Sequence, residues 1–177
     1  EAIERRLARL STDCNARLRA ASVIGRNFDA HLLAALNGDD VQICVEALED
    51  AVQVGIVELV QANSPRYRFS HALIGETLYE AMPLSKRLRL HRDIADTLAA
   101  MFPDPGPTVL SQLAFHYFES SGLGDYETAI NFSIRAARRS ARTYAYASAV
   151  THYDKALEAI AAGSLEGHPN LGSIYLE

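Results

Sequence analysis

Three of the chain's six prolines fall in the run Phe102-Pro103-Asp104-Pro105-Gly106-Pro107. Proline lacks a backbone N–H and its ring clashes with the preceding turn, so no helix runs through this stretch. The chain is expected to divide here: a mixed helix-and-strand domain with its connecting helix over 1–102, a Pro-rich linker over 103–107, and helices alone over 108–177. A length of 177 residues is enough for one hydrophobic core and a second, smaller unit.

Upstream of the linker, Ile3, Leu7 and Leu10 sit at helical spacing. Ser11 or Thr12 caps a helix running to about residue 21, and Gly25 breaks the pattern. Asp29 opens a short helix over 31–36 that stops at Asn37-Gly38. Asp39 or Asp40 caps the next helix, whose apolar positions Val41, Val45, Leu48 and Val52 recur every three or four residues until Gly55. The period then changes. Ile56-Val57-Glu58-Leu59-Val60 and Tyr67-Arg68-Phe69 flank the turn Asn63-Ser64-Pro65 and read as a two-stranded hairpin. Helical spacing returns over 71–79. Pro83 then starts a long helix with Leu88, His91, Ile94, Ala95 and Leu98 on one face. Three helices followed by a hairpin is the order of a winged-helix domain.

Downstream, helical stretches over 109–121, 126–142 and 146–161 are joined by Gly122-Leu123-Gly124 and Thr143-Tyr144-Ala145. Joints this short favour antiparallel neighbours. Ala129, Ala136, Ala149 and Ala156 are small enough to let helices approach closely. The run Tyr146, Ala149, Tyr153, Ala156, Leu157 fits the second half of a tetratricopeptide repeat; Ser133, Ala136 and Ala137 fit its first half less well. The expected fold is mainly α: a winged-helix domain with a short β-hairpin, then antiparallel tetratricopeptide-like repeats. The chain opens at Glu1 without a methionine, and Ser173-Ile174-Tyr175-Leu176-Glu177 reads as the opening of another helix. A segment of a longer protein is therefore expected.

Composition narrows the function classes. An apolar fraction of 49% excludes a disordered acidic chain, and no apolar run approaches the ~20 residues of a membrane span. Cys14 and Cys44 are too far apart for a redox or zinc motif and read as buried thiols of a cytoplasmic protein. Phosphate-loop, dinucleotide and hydrolase motifs are absent, so no catalytic residue is assigned. No two of the six histidines lie three or four residues apart, so no helix offers a two-histidine metal site. Glu76 and Glu80 read as a solvated helix face.

The net charge of −5 is unevenly spread. The helix that would enter a DNA groove, 39–54, carries Asp39, Asp40, Glu46, Glu49 and Asp50 and no lysine or arginine. These acids would repel phosphates, and the hairpin adds only Arg66 and Arg68, so no direct DNA binding is expected. Two basic clusters stand elsewhere: Lys86, Arg87, Arg89 and Arg92 on the Pro83 helix, and Arg135, Arg138, Arg139 and Arg142 on one face of the 126–142 helix. Each reads either as a solvated face paired with local acids or as a contact surface for another domain or an acidic partner.

Four runs together resemble a known family: residues 18–28 (LRAASVIGRNF), 67–79 (YRFSHALIGETLY), 87–95 (RLRLHRDIA) and 113–117 (LAFHY). They are similar to the region after the nucleotide-binding domain in bacterial signal-transduction ATPases with numerous domains. These include large LuxR-type transcriptional regulators and ATPase-linked adenylate cyclases. The resemblance covers about residues 10–160. It implies a regulatory, non-enzymatic segment that couples an upstream ATPase module, the expected home of any ATP or ADP, to a repeat domain that senses a protein or small-molecule effector. Related ATPases carry a Met-His-Asp triplet after the hairpin, whose histidine touches the β-phosphate of ADP. The matching triplet here is Ser70-His71-Ala72, which keeps the histidine and loses both flanking residues. The resemblance makes His71 the candidate nucleotide sensor. A stand-alone repeat scaffold and a winged-helix DNA binder are the competing readings.

Overall fold

Ser11 accepts a hydrogen bond from the Cys14 N–H (3.0 Å) and so starts the helix that the serine predicts. The computed structural model describes residues 2–165 and 167–176. It is mainly helical with one small antiparallel sheet. Two compact units, Glu1–Leu90 and His91–Glu177, divide it.

In the first unit the order is α1 (Ala2–Leu7), α2 (Thr12–Ile24), β1 (Asn27–Asp29), α3 (Ala30–Asn37), α4 (Val41–Gln53), β2 (Val57–Gln61), β3 (Arg66–Phe69) and α5 (Ala72–Glu80), then the start of α6 (Leu84–Met101). Side-chain caps set three of the helix starts: Ser11 for α2, Asp29 for α3 through the His31 N–H (2.8 Å), and Asp40 for α4 through the Gln42 N–H (2.8 Å). Gly38 ends α3 in the left-handed region at φ 70°, where a side chain would be strained.

The expected two-stranded hairpin gains a third strand. β3 lies between β1 and β2, with Phe28 opposite Tyr67 and Val57 opposite Phe69. β1 was not visible in the periodicity because three residues between Gly25 and a helix cap cannot display an alternation. Phe28 is buried, stacked on Tyr67 at 5.8 Å and tilted against Phe69 at 5.4 Å. Around them Cys14, Leu18, Leu33, Cys44, Leu48, Ile56 and Ile74 complete the core. Both cysteines are free and fully buried.

The second unit holds the rest of α6, then α7 (Pro107–Glu119), a 3-10 turn (Ser121–Leu123), α8 (Tyr126–Arg142), α9 (Tyr146–Ala162) and α10 (Leu171–Leu176). The helix expected from 173–177 corresponds to α10, and Glu177 lies outside the described residues. α8 packs against both α7 and α9, with Ala129, Ala136, Ala137, Ala149 and Ala156 buried where small side chains permit close approach. Gly124 (φ 102°) and, without glycine's freedom, Tyr144 (φ 60°) turn the chain between helices.

The expected boundary at 103–107 needs correction. The prolines do end α6 and start α7, but the division between units falls inside α6, between Leu90 and His91. The reason is packing. Leu90 sits against the first core, whereas His91 and Asp96 bond to residues of α7.

Candidate functional site

His71 stands where β3 passes into α5. It is the N-cap of that helix in extended backbone (φ −130°, ψ 140°), is exposed, and caps nothing with its side chain. Among the described residues its imidazole has no hydrogen-bond partner. In particular, no nearby carbonyl accepts from it. Beside it the Ser70 hydroxyl is buried and unpartnered. An exposed imidazole thus stands at the uncapped N-terminus of a nine-residue helix, and both the ring and the helix N–H groups can donate to an anion.

The first basic cluster separates into different environments. Lys86 and Arg89 are exposed, and Arg89 Nε donates to the Ser85 carbonyl (3.2 Å). The Arg87 guanidinium lies 4.9 Å from the Tyr79 ring centroid. Arg92 turns inward: its guanidinium donates to Asp96 (3.1 Å) and Asp125 (2.6 Å) and lies 5.3 Å over the Tyr117 ring. Tyr117 in turn donates its hydroxyl to Asp96 (2.9 Å); burial and that carboxylate push the phenol up to about 12. Burial alone would raise the Asp125 pKa, but its bonds to Arg92 and Thr128 hold it below the ordinary carboxylate value. Arg92 is thus a structural cation of the second unit.

The second cluster keeps its expected form. Arg135, Arg138, Arg139 and Arg142 are all exposed along α8, with Arg135 4.8 Å over the Phe132 ring. The hairpin arginines are paired across strands, Arg68 to Glu58 (2.7 Å) and Arg66 to Asp29 (3.4 Å).

Two buried polar groups escaped the sequence reading. Arg17, 4% exposed, donates to Asp13 (2.9 Å) and Asp39 (2.6 Å). Burial disfavours its charge, and the two carboxylates more than compensate, raising its pKa. His91 and His116, each 2% exposed, face one another with Nδ1 atoms 2.9 Å apart. Only one proton fits between them, so one ring donates and the other accepts. Burial, the His91 charge and Lys155 depress His116 to about 3. Phe115 sits edge-on to both rings, and Lys155 Nζ lies 4.6 Å over Phe115 and 4.9 Å over Phe118.

Among the described residues no three His, Cys, Asp or Glu side chains stand together as a metal site, and no helix is long and apolar enough to cross a membrane. The chain matches no protein-family model, no curated protein and no solved structure.

Proposed function

We propose that this chain is a cytoplasmic coupling segment of a signal-transduction ATPase, most simply of a LuxR-family transcriptional regulator, linking nucleotide state to a helical-repeat sensor. The first unit would be a winged-helix domain. The helix-strand-helix-helix-strand-strand order from α2 to β3, with β3 between β1 and β2, supports that reading. The second unit would be the start of a tetratricopeptide-like array. The neighbouring helices α8 and α9, with alanines buried along both, are in keeping with it.

The observation that carries the proposal is His71 itself: exposed, unbonded, and fixed at the start of α5 beside other donors. A phosphate of ADP held by an upstream domain would accept from the imidazole and the helix N–H groups, and nucleotide exchange would release the contact as a hinge-type switch. The exposed acids of α4 argue against a DNA-reading role for the same unit. In the protein carrying its upstream nucleotide-binding domain, His71→Ala is expected to shorten ADP retention. Retention equal to that of the parent protein would sink the sensor role, and absence of a phosphate loop upstream would remove the ATPase reading altogether.

A further inference from the structure

Two helices present opposite and unneutralised charge. On α4, Asp39 is occupied by Arg17 and Asp40 caps the helix, which leaves Glu46, Glu49 and Asp50 exposed. Among the described residues none of the three forms an ion pair; Glu46 accepts only from the Gln42 amide (2.9 Å). Glu49 and Asp50 stand near the C-terminal end of α4, where the helix dipole disfavours negative charge. Helix stability therefore does not explain them. Ile43, 50% exposed, continues the same ridge.

On α8, Arg135, Arg139 and Arg142 recur at i, i+4 and i+7, exposed and without an ion pair among the described residues. Their only acidic neighbour in the helix, Glu127, lies in its first turn and bonds His168 (3.1 Å). An apolar shoulder adjoins the stripe at Tyr144, Tyr146 and Val150, all well exposed. At 1.5 Å per residue, the stripe from Arg135 to Arg142 and the ridge from Ile43 to Asp50 each span about 10 Å.

We propose that this chain associates with a second copy of itself, the acidic ridge of α4 in one copy docking on the arginine stripe of α8 in the next. Length and charge match, and each ridge carries apolar surface to bury at its margin. The two surfaces differ, so each copy offers one ridge and one stripe: a two-fold pair satisfies both at once, whereas a head-to-tail contact leaves one of each free. Only the head-to-tail contact grows on to a ring or a filament. Exposed charge pairs of this kind are weak singly and strongly screened, which makes the assembly one of high protein concentration and low salt.

The test is sedimentation equilibrium of the 177-residue chain across a concentration series. Association should weaken about tenfold or more when salt is raised from about 50 mM to about 500 mM. The triple variant E46K/E49K/D50K and the triple variant R135E/R139E/R142E should each stay monomeric. Mixed together they should associate again, because the unchanged α8 stripe of the first meets the unchanged α4 ridge of the second, and their two reversed faces are again opposite in charge. That rescue separates a broken contact from a broken fold. A parent chain that stays monomeric at low salt, association that survives in both variants, or failure of two folded variants to associate on mixing overturns the proposal.

Discussion

The buried His91–His116 pair gives the second unit an acid-sensitive stability. His116 has a depressed pKa of about 3 against 6.5 in the unfolded chain. The unfolded chain therefore binds this proton first as pH falls, and protons held only by the unfolded state favour unfolding. Stability is at full value above about pH 6.5, declines between 6.5 and 3, and levels off below. Within that window each pH unit removes about 1.4 kcal/mol, which amounts to about 2 kcal/mol by pH 5. The assay is urea unfolding of the parent chain and of His116→Asn at several pH values, followed by NMR signals from residues 91–177. The asparagine keeps a polar atom near the Nδ1 position and does not titrate. Its unfolding free energy should depend less steeply on pH between 6.5 and 4, by about one proton. Parallel slopes for the two proteins, or a His116 ring resonance that titrates in the folded state near pH 6, would refute the reasoning.

Two further outcomes follow from other buried or strained groups. Asp39→Ala removes a partner of the buried Arg17 guanidinium and should cost about 3 kcal/mol in thermal or urea unfolding, whereas Arg17→Met with Asp39→Ala should recover most of that loss because no charge is left stranded. Tyr144→Asn should raise stability by about 1 kcal/mol, since asparagine tolerates φ near 60° and the tyrosine ring, 80% exposed, contributes little packing; an unchanged melting temperature would count against strain at this joint.

What the sequence discloses about this fold is what local bonds decide. Ser11, Asp29 and Asp40 start helices because each bonds an N–H two or three residues ahead, and Gly38 stops one by its own φ. The first strand is decided elsewhere. Asn27–Asp29 is extended because it pairs with Arg66, Tyr67 and Arg68, and three residues carry no period of their own. The proline-rich run marks a real break between helices, yet the division between units depends on which core each half of α6 joins, which helical periodicity does not encode.

The candidate groups divide in the same way. His71 stands out only through the family resemblance, since its spacing carries no signal of its own, and its exposure follows from being a helix cap. The Asp13–Arg17 spacing of four was readable as a helical pair, but Asp39, which completes the burial of that charge, arrives only through tertiary packing. His91 already stood on the apolar face of its helix. That was the available signal, because a histidine among Ile94, Ala95 and Leu98 needs a buried partner. A search for histidines one turn apart could not reach His116 across the turn between α6 and α7.

The irregular pairing of β2 with β3 has a consequence for solubility. β2 is an edge of the sheet, and it displays Leu59 and Val60 to solvent, the ingredients of unwanted strand addition. Between Leu59 and Gln61 the register slips, so Val60 has no opposite residue and the edge is bent at its most apolar point. The charged Glu58–Arg68 pair stands just before the bend. An incoming strand therefore meets a kinked and charged border where a flat apolar one would have been a template for aggregation.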